Sequence, residues 1–416
     1  MGVEKVGDAG VYVTPTISAS LTPHTWSASE CGVHSVEFMP LAVGSLFQRP
    51  SPLRHAVCPS LYCEDVPAEQ ERHPCSFYLN HRMLELRNLF FTRLIFHFEV
   101  LQPLTLPIFK GTTFKGRLGH ALRDAQRQYE YCSYRCGMVM SEWPSQLFFR
   151  PRVPYAVARC LHTDPAISPP FVLEPPTTSQ EHFEPHDVLS YALTFIGHTH
   201  NLIRLWIRAV EILCQQQGLG VRNERCGLRS VHDEQGNLIY EGATRRFCPI
   251  YASTYAEDFF APRPPLSQLD LHFRTPLYLR EPGEKGPARQ FTEQHLRPLL
   301  HHLHHRLFIL TQCYCRRPRH IDAQPTPDDI APYDASAIHA LLDDVRLAEA
   351  SLEWQGWSYF HNRQKKRIEM GGLIGSIRLA GRLAPVLPLL ELGTYLHLGK
   401  LNTAGFGSYR IEVPSA

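Results

Sequence analysis

Two stretches of the 416-residue chain echo each other. Arg93-Leu-Ile-Phe-His-Phe-Glu-Val-Leu-Gln-Pro-Leu-Thr-Leu106 and Leu269-Asp-Leu-His-Phe-Arg-Thr-Pro-Leu-Tyr-Leu279 both alternate apolar with polar residues and then meet a proline. Alternation with period two predicts a half-buried strand, and a proline closes it because it has no N–H for the ladder. A chain that opens two halves in the same way is constrained to repeat one supersecondary unit.

The order of elements agrees with that. The first strand pattern, Leu89–Glu99, is followed by a helical pattern from Phe114, with Phe114, Leu118, Ala121, Leu122 and Ala125 on one face and basic residues on the others. Tyr131 to Pro176 reads as a long loop. Leu189–Ile196 reads as a strand, Asn201–Gln217 as an amphipathic helix stopped by Gly218-Leu-Gly220, and Cys226–Val231 as a strand. In the second half, helical patterns at Phe291–Cys313 and Ala335–Glu349 precede strands at Ser351–Tyr359 and Gly372–Leu379. A helix from Pro385 to His397 and a strand from Ser408 to Val413 close the chain. Two βαββαβ-like units predict an α+β protein of tandem ferredoxin-like (RRM-like) domains, at 86–262 and 263–416. Residues 1–85 mix Pro, Ser, Thr, His and Cys without a period and read as an extension of little regular structure or a mis-assigned start, with Met83 a candidate natural start.

Composition narrows the class. Hydrophobic residues at 44% and charged residues at 20% are those of a globular chain, and 34 prolines call for many connectors. Twelve scattered cysteines and the lack of a leader pattern predict a reducing cytoplasm rather than a disulfide framework, and no apolar run has transmembrane length. A net charge of +2 announces no nucleic-acid partner, but the charge is uneven. Residues 361–416 hold eight basic residues against three acidic ones, a balance of +5, and Lys110–Arg127 holds five against one, a balance of +4.

The stretch Leu396-His-Leu-Gly-Lys-Leu-Asn-Thr-Ala-Gly-Phe-Gly-Ser-Tyr-Arg-Ile411 lies inside the first of these basic segments. Gly399, Gly405 and Gly407 permit φ > 0, so that successive N–H groups can converge on an anion, with Lys400 as a point charge. A helix cap followed by a β-bulge is the structural alternative. It is not a P-loop, since five residues separate Gly393 from Gly399 and Leu401 replaces the Ser or Thr that holds Mg²⁺; no Gly-x-Ser-x-Gly elbow exists either. Trp354, Trp357, Tyr359 and Phe360 run into Arg363, Lys365, Lys366 and Arg367, an interleaving that suits single-stranded RNA or, equally, a core edge beside a solvated hairpin.

The segment Pro107-Ile-Phe-Lys-Gly-Thr-Thr-Phe-Lys-Gly-Arg-Leu-Gly-His-Ala-Leu-Arg123, the turn with Cys132 and Cys136, Pro170-Phe-Val-Leu-Glu-Pro-Pro176, Gly371-Gly-Leu-Ile-Gly375 and the terminal glycine loop together resemble the Cas6 family of CRISPR repeat-processing endoribonucleases, in its longer RAMP-type members. The resemblance runs from Leu89 to Val413. It implies binding of CRISPR repeat RNA between two ferredoxin-like domains and one metal-independent cut that releases guide RNAs, with CRISPR effector subunits as further partners and no cofactor. Two departures stand out: Leu401 and Asn402 follow Lys400 where relatives carry Gly-Lys-Gly, and Cys132 and Cys136 lack a third cysteine for a metal knuckle.

Such a cut requires a base for the attacking 2′-OH, an acid for the leaving oxygen and positive charge for the phosphorane. His120, one turn beyond Lys115, Gly116 and Arg117, is the catalytic candidate, as the resemblance implies for a histidine in this helix. His397 is a possible assistant and Lys400 the phosphate contact. Lys115, Arg117, Arg123, Arg363, Lys365, Lys366, Arg367, Gly399, Gly405 and Gly407 are the expected RNA contacts. The alternatives are a non-catalytic RNA-binding subunit, or a zinc-stabilised interaction protein built on His301-His-Leu-His-His305 with Cys313 and Cys315, whose spacing matches no finger or ribbon.

Overall fold

The computed structural model describes residues 84–135, 143–220, 222–248, 251–280, 286–316, 325–361 and 366–414. Its first half contains β1 (Phe90–Val100), β2 (Leu104–Thr105), α1 (Gly111–Arg135), α2 (Trp143–Phe149), α3 (Tyr155–Cys160), β3 (Phe171–Glu174), β4 (His182–Phe183), β5 (Val188–Ile196), α4 (Ile203–Ile212), β6 (Cys226–Asp233), β7 (Leu238–Glu241), β8 (Arg246–Phe247) and β9 (Thr254–Tyr255). One antiparallel sheet runs β3-β5-β1-β6-β7-β8, with β9 on β1. Taking β1, α1, β3, β5, α4 and β6 as the unit, its strands lie in the order second, third, first, fourth, which is the ferredoxin-like arrangement.

The second half repeats it. Here β10 (Gln268–Leu277), α5 (Glu293–Leu310), α6 (Ala335–Leu342), β11 (Val345–His361), β12 (Lys366–Gly381), α7 (Leu387–Leu396) and β13 (Tyr409–Glu412) form a four-stranded antiparallel sheet ordered β11-β12-β10-β13. The fold is therefore α+β with two ferredoxin-like sheets.

Strand alternation does the local work. Leu94, Phe96, Phe98 and Val100 of β1 are buried against Phe114, Leu118, Ala121 and Leu122 of α1 and Trp206 and Val210 of α4, whereas Arg93, Ile95, His97 and Glu99 take the opposite face. In β10, Leu269, Leu271 and Phe273 face Leu300 and Leu303 of α5 and Leu389 and Leu392 of α7. Each fully buried aliphatic side chain contributes about 1.5–3 kcal/mol. The second cluster does not stop at the C-terminal half: Leu86, Leu89, Phe91, Val157, Leu161, Val172 and Ile196 belong to it too. Polar bonds follow the same seam, with Tyr314 Oη donating to Ser168 O (3.0 Å) and His305 Nε2 donating to Leu161 O (2.8 Å).

Several expectations change. Within Tyr131–Pro176, α1 continues to Arg135 and α2, α3 and β3 follow, because Val157, Ala158 and Leu161 find an apolar partner surface on the other half. The helix expected over Ala335–Glu349 ends at Leu342, and β11 starts at Val345, where Val345 pairs with Gly381 and Arg346 with Ala380; the cross-strand ladder overrides helix propensity. The hairpin β11–β12 is thus much longer than its sequence pattern. The helix expected at Asn201–Gln217 is a short 3₁₀ segment, then α4, then a π-helical turn. The extension before residue 84, Cys136, Arg363 and Lys365 lie outside the described residues.

A core shared by both halves makes them unfold together. Leu303 is 1% exposed, and Leu303→Ala is expected to cost about 3 kcal/mol. Hydrogen exchange should then accelerate in β5 and β12 alike; protection lost in β12 alone would overturn the shared core.

Candidate nucleic-acid interface

The helix α1 carries the basic residues closest to the expected chemistry. Lys110, just before it, is fully buried, and its Nζ donates to Ile108 O (3.2 Å) and Thr178 O (2.8 Å), so one charge of the +4 segment is internal. A Cβ at Gly111 would stand 1.9 Å from Ala404 O, so the start of α1 presses on the glycine loop in a way only glycine permits. His120 lies nine residues later, about 13 Å along the axis and two and a half turns round. It is exposed on the side of α1 away from that contact, and the fold does not set it beside the loop. Its Nδ1 accepts from Arg123 Nη2 (2.9 Å), which leaves the neutral ring protonated at Nε2. Partial burial and then Arg123 lower its pKa, Asp124 opposes them, and Arg117 adds to the lowering.

The other basic residues of α1 are less free than their sequence suggests. Lys115 is half-buried, and burial lowers its pKa. Arg117 donates to Asn223 Oδ1 and to Gly220 O (3.4 Å), fastening α1 to the turn after the first-half helix. Arg123 is exposed and engaged with His120.

The glycine loop is not an open cradle. Gly399, Gly405 and Gly407 are buried. The amide of Gly405 donates to Asn402 O (2.9 Å), that of Gly407 to Pro276 O (2.9 Å), and those of Lys400 and Ser408 to Tyr278 O (3.0 Å) and Thr275 Oγ1 (2.9 Å). Donors committed in this way cannot also bind an anion. Close packing is what the glycines allow: a Cβ at Gly405 would stand 2.3 Å from Pro175 Cδ, and one at Gly407 1.9 Å from Leu398 O. Phe406, fully buried, meets Phe109 (4.6 Å between ring centroids), Trp357 (5.7 Å) and Tyr278 (6.3 Å). The loop therefore locks β3, the start of α1 and the β11–β12 hairpin together.

His397 is corrected by the same packing. It is fully buried with φ 63°, its Nδ1–H donates to Phe406 O (2.9 Å), and burial, opposed by Glu174, pushes its pKa down to about 4. A neutral, enclosed imidazole is neither a reactant for RNA nor a charge at a helix end. The cation at the end of α7 is instead buried Arg306, which donates to Leu396 O and to His397 O (3.3 Å). Lys400 is half-buried; burial and then Arg280 lower its pKa. Exposed His302 is neighbour to both Arg306 and Lys400, and the surrounding protein followed by these two charges brings its pKa to about 4.

Trp357 belongs to the loop cluster, and Trp354 lies 4.2 Å under the Arg289 guanidinium, so these two rings pack within the fold. Lys366 and Arg367 stand at the start of β12, near the hairpin tip. The outer face of the second sheet, by contrast, holds a groove of about 790 Å³ lined by His272, Arg274, Ser376, Glu353 and Arg410 among others. Sequence reading missed it; the alternation that put Leu271 and Phe273 inside also put His272 and Arg274 outside. Part of the +5 balance disappears here, since Arg378 is bidentate to Asp270 (2.7 and 2.9 Å), Arg382 meets Asp344 (2.8 Å) and Arg410 meets Glu412 (2.8 Å).

The histidine cluster on α5 packs around Tyr333: His301 Nε2 and His304 Nδ1 each lie 3.3 Å from its Oη. Among the described residues no three His, Cys, Asp or Glu side chains stand together to hold a metal ion. Burial pushes the thiols of Cys313 and Cys315 up to about 12. Nor is any described helix long and apolar enough to cross a membrane.

Gly407→Ala tests the locked loop. With φ 75° and no room at Cβ, it is expected to cost about 2 kcal/mol or more, read as a lowered Tm; an unchanged Tm would mean the loop is open.

Residues 271–409 match the family model of the CRISPR-associated endoribonuclease Cas6, and residues 86–251 match a model described as an N-terminal domain. No curated protein matches the chain. Similar solved structures include a partial Cas6-RT-Cas1–Cas2 complex (12% identity, 78% of this chain, 46% of that chain, TM-score 0.47). Thermus thermophilus Cas6 (14% identity, 78% and 99%, TM-score 0.41) and a Cas6-related gene product from Pyrococcus furiosus (10% identity, 77% and 98%, TM-score 0.38) are others. The chain spans less than half of the matched chains in the two Cas6-RT-Cas1–Cas2 complexes, 46% and 29% of their lengths. The segment 271–409 therefore carries a domain of the Cas6 endoribonuclease family.

Proposed function

We propose that the protein is a metal-independent endoribonuclease that binds CRISPR repeat RNA and cuts precursor crRNA to guide RNAs. The observation that carries this reading is the match of residues 271–409 to the Cas6 endoribonuclease family model. His120 supports it, being an exposed imidazole on a basic helix.

In the proposed step the 2′-hydroxyl attacks the adjacent phosphorus. The O2′–P bond forms, the P–O5′ bond breaks, and the products carry a 2′,3′-cyclic phosphate and a 5′-OH. His120 takes the 2′-OH proton while water protonates the leaving O5′, or it protonates O5′ while water takes the 2′-OH proton. In the resting ring Nδ1 is held by Arg123, so action as a base requires the hydroxyl to displace that guanidinium, which then faces the phosphate. Lys400, with Arg280 beside it, contributes positive charge from the second half. Lys115, Arg117, Lys366 and Arg367 are proposed RNA contacts, as are Arg363 and Lys365. The partners are repeat RNA, product crRNA and CRISPR effector subunits. The second reading is a non-catalytic RNA-binding subunit, and the enclosure of His397 favours it by removing the candidate assistant to His120.

Incubation of the protein with its repeat RNA in excess EDTA separates the two. Wild type is expected to cut and His120→Ala to bind but cut about 10²–10⁴-fold more slowly. No cutting by wild type favours the binding subunit, and equal cutting by both removes His120. The rate should rise with pH through a pKa below 6.5 and then level off, because burial and the neighbouring guanidiniums depress the His120 pKa and a base acts in its neutral form. An acidic limb centred above pH 6.5 contradicts that assignment.

A further inference from the structure

The two halves place the same chemistry at the same point of their sheets. His97, in the first strand of the N-terminal unit, pairs with Ser190 of its third strand and Ser230 of its fourth. His272, in the first strand of the C-terminal unit, pairs with Ser376 of its third strand and Arg410 of its fourth. Both histidines point away from the helices, since Phe96 and Phe98, and Leu271 and Phe273, are the buried neighbours. The fourth strand supplies an arginine in each case. Arg410 stands directly opposite His272, and a β-bulge between the His97↔Ser230 and Phe98↔Leu228 pairs inserts Arg229 beside His97.

The two stations differ in what fills them. In the C-terminal one the Glu412 carboxylate lies between the two side chains, Oε2 at 3.0 Å from His272 Nε2 and Oε1 at 2.8 Å from Arg410 Nη2. In the N-terminal one no carboxylate among the described residues pairs with His97 or Arg229. His97 Nδ1 is 2.7 Å from Ser190 Oγ, and the His232 ring stands against His97 at 5.3 Å, edge to face. Arg229 is exposed and makes no ion pair among the described residues. Two acids on that face are engaged elsewhere: Glu99 accepts from His186 Nδ1 (2.6 Å), and Glu241, opposite Ser230, accepts from Thr244 Oγ1 (2.6 Å).

Resting on the RNA reading above, we propose that His97, Ser190 and Arg229 form a binding site for an RNA phosphodiester on the outer face of the N-terminal sheet, and that Glu412 occupies the equivalent C-terminal site as an internal stand-in for phosphate. Ser190, by donating into Nδ1, leaves His97 Nε2–H as an outward donor to a phosphate oxygen, and Arg229 adds the charge-assisted contact. The imidazole of His232 offers a face on which a base can stack. Burial and the neighbouring His232 and Arg229 lower the His97 pKa, which keeps it in the neutral donor form.

The test is fluorescence anisotropy in EDTA with the protein's repeat RNA, 2′-O-methylated so that no cutting intervenes. Arg229→Ala is expected to bind about tenfold more weakly with a salt slope reduced by roughly one. His97→Gln should weaken binding by about threefold or more, and Glu412→Gln should tighten it about threefold by freeing the second site. Arg382→Ala, whose partner is Asp344, should bind as wild type does. Wild-type affinity and salt slope in both Arg229→Ala and His97→Gln overturn the N-terminal site alone, and unchanged binding by Glu412→Gln overturns the stand-in. Failure of the wild type to bind overturns the RNA reading and this proposal with it.

Discussion

Leu86, Phe91, Val157 and Val172 of the first half lie in the same apolar cluster as Leu303, Leu307, Leu389 and Leu398 of the second. Because the second half completes its interior with side chains from the first, their relative placement is fixed by burial rather than by a linker. The glycine loop is the narrowest part of this constraint. It passes where Pro175, the first residue of α1 and Phe109 leave no room for side chains, and Phe406 fills what space remains. Every surface discussed for RNA is positioned by that seam.

Charge obeys a second constraint. A sheet presents its outer face as rows of directly opposed side chains, so acids and bases far apart in sequence become neighbours. Arg378 finds Asp270 across 108 residues and Arg93 finds Glu174 across 81. Such pairs remove charge from the field that a polyanion meets. Among the charges left over are those to which the proposals above assign a role: His120 with Arg123 on α1, Lys400 with Arg280, and Arg229 at the bulge.

Much of the architecture was legible because periodicity reports burial one residue at a time. Phe114, Leu118, Ala121, Leu122 and Ala125 on one helix face and the alternation of β1 and β10 needed no coordinates. The loop read over 131–176 was illegible because α2 and α3 are short and owe their stability to a distant surface. The site was less legible than the fold. Gly405 and Gly407 carry the pattern of a phosphate cradle, yet that pattern also fits close backbone packing, and the two differ only in where the N–H groups point. His272 and Arg274 were passed over although they sit in the very strand whose echo revealed the duplication.

The sequence by itself determined that two βαββαβ units follow one another and which face of each strand and helix is apolar, since these depend on side-chain type and spacing along the chain. Only the tertiary structure decided that His397 is enclosed and neutral, that the glycine amides are already bonded, that Arg378, Arg382 and Arg410 are paired, and that His97 and His272 occupy equivalent points of two sheets. Each of these turns on which groups meet across tens to hundreds of residues, and desolvation, hydrogen bonding and ion pairing act through those distances in space rather than through position in the chain.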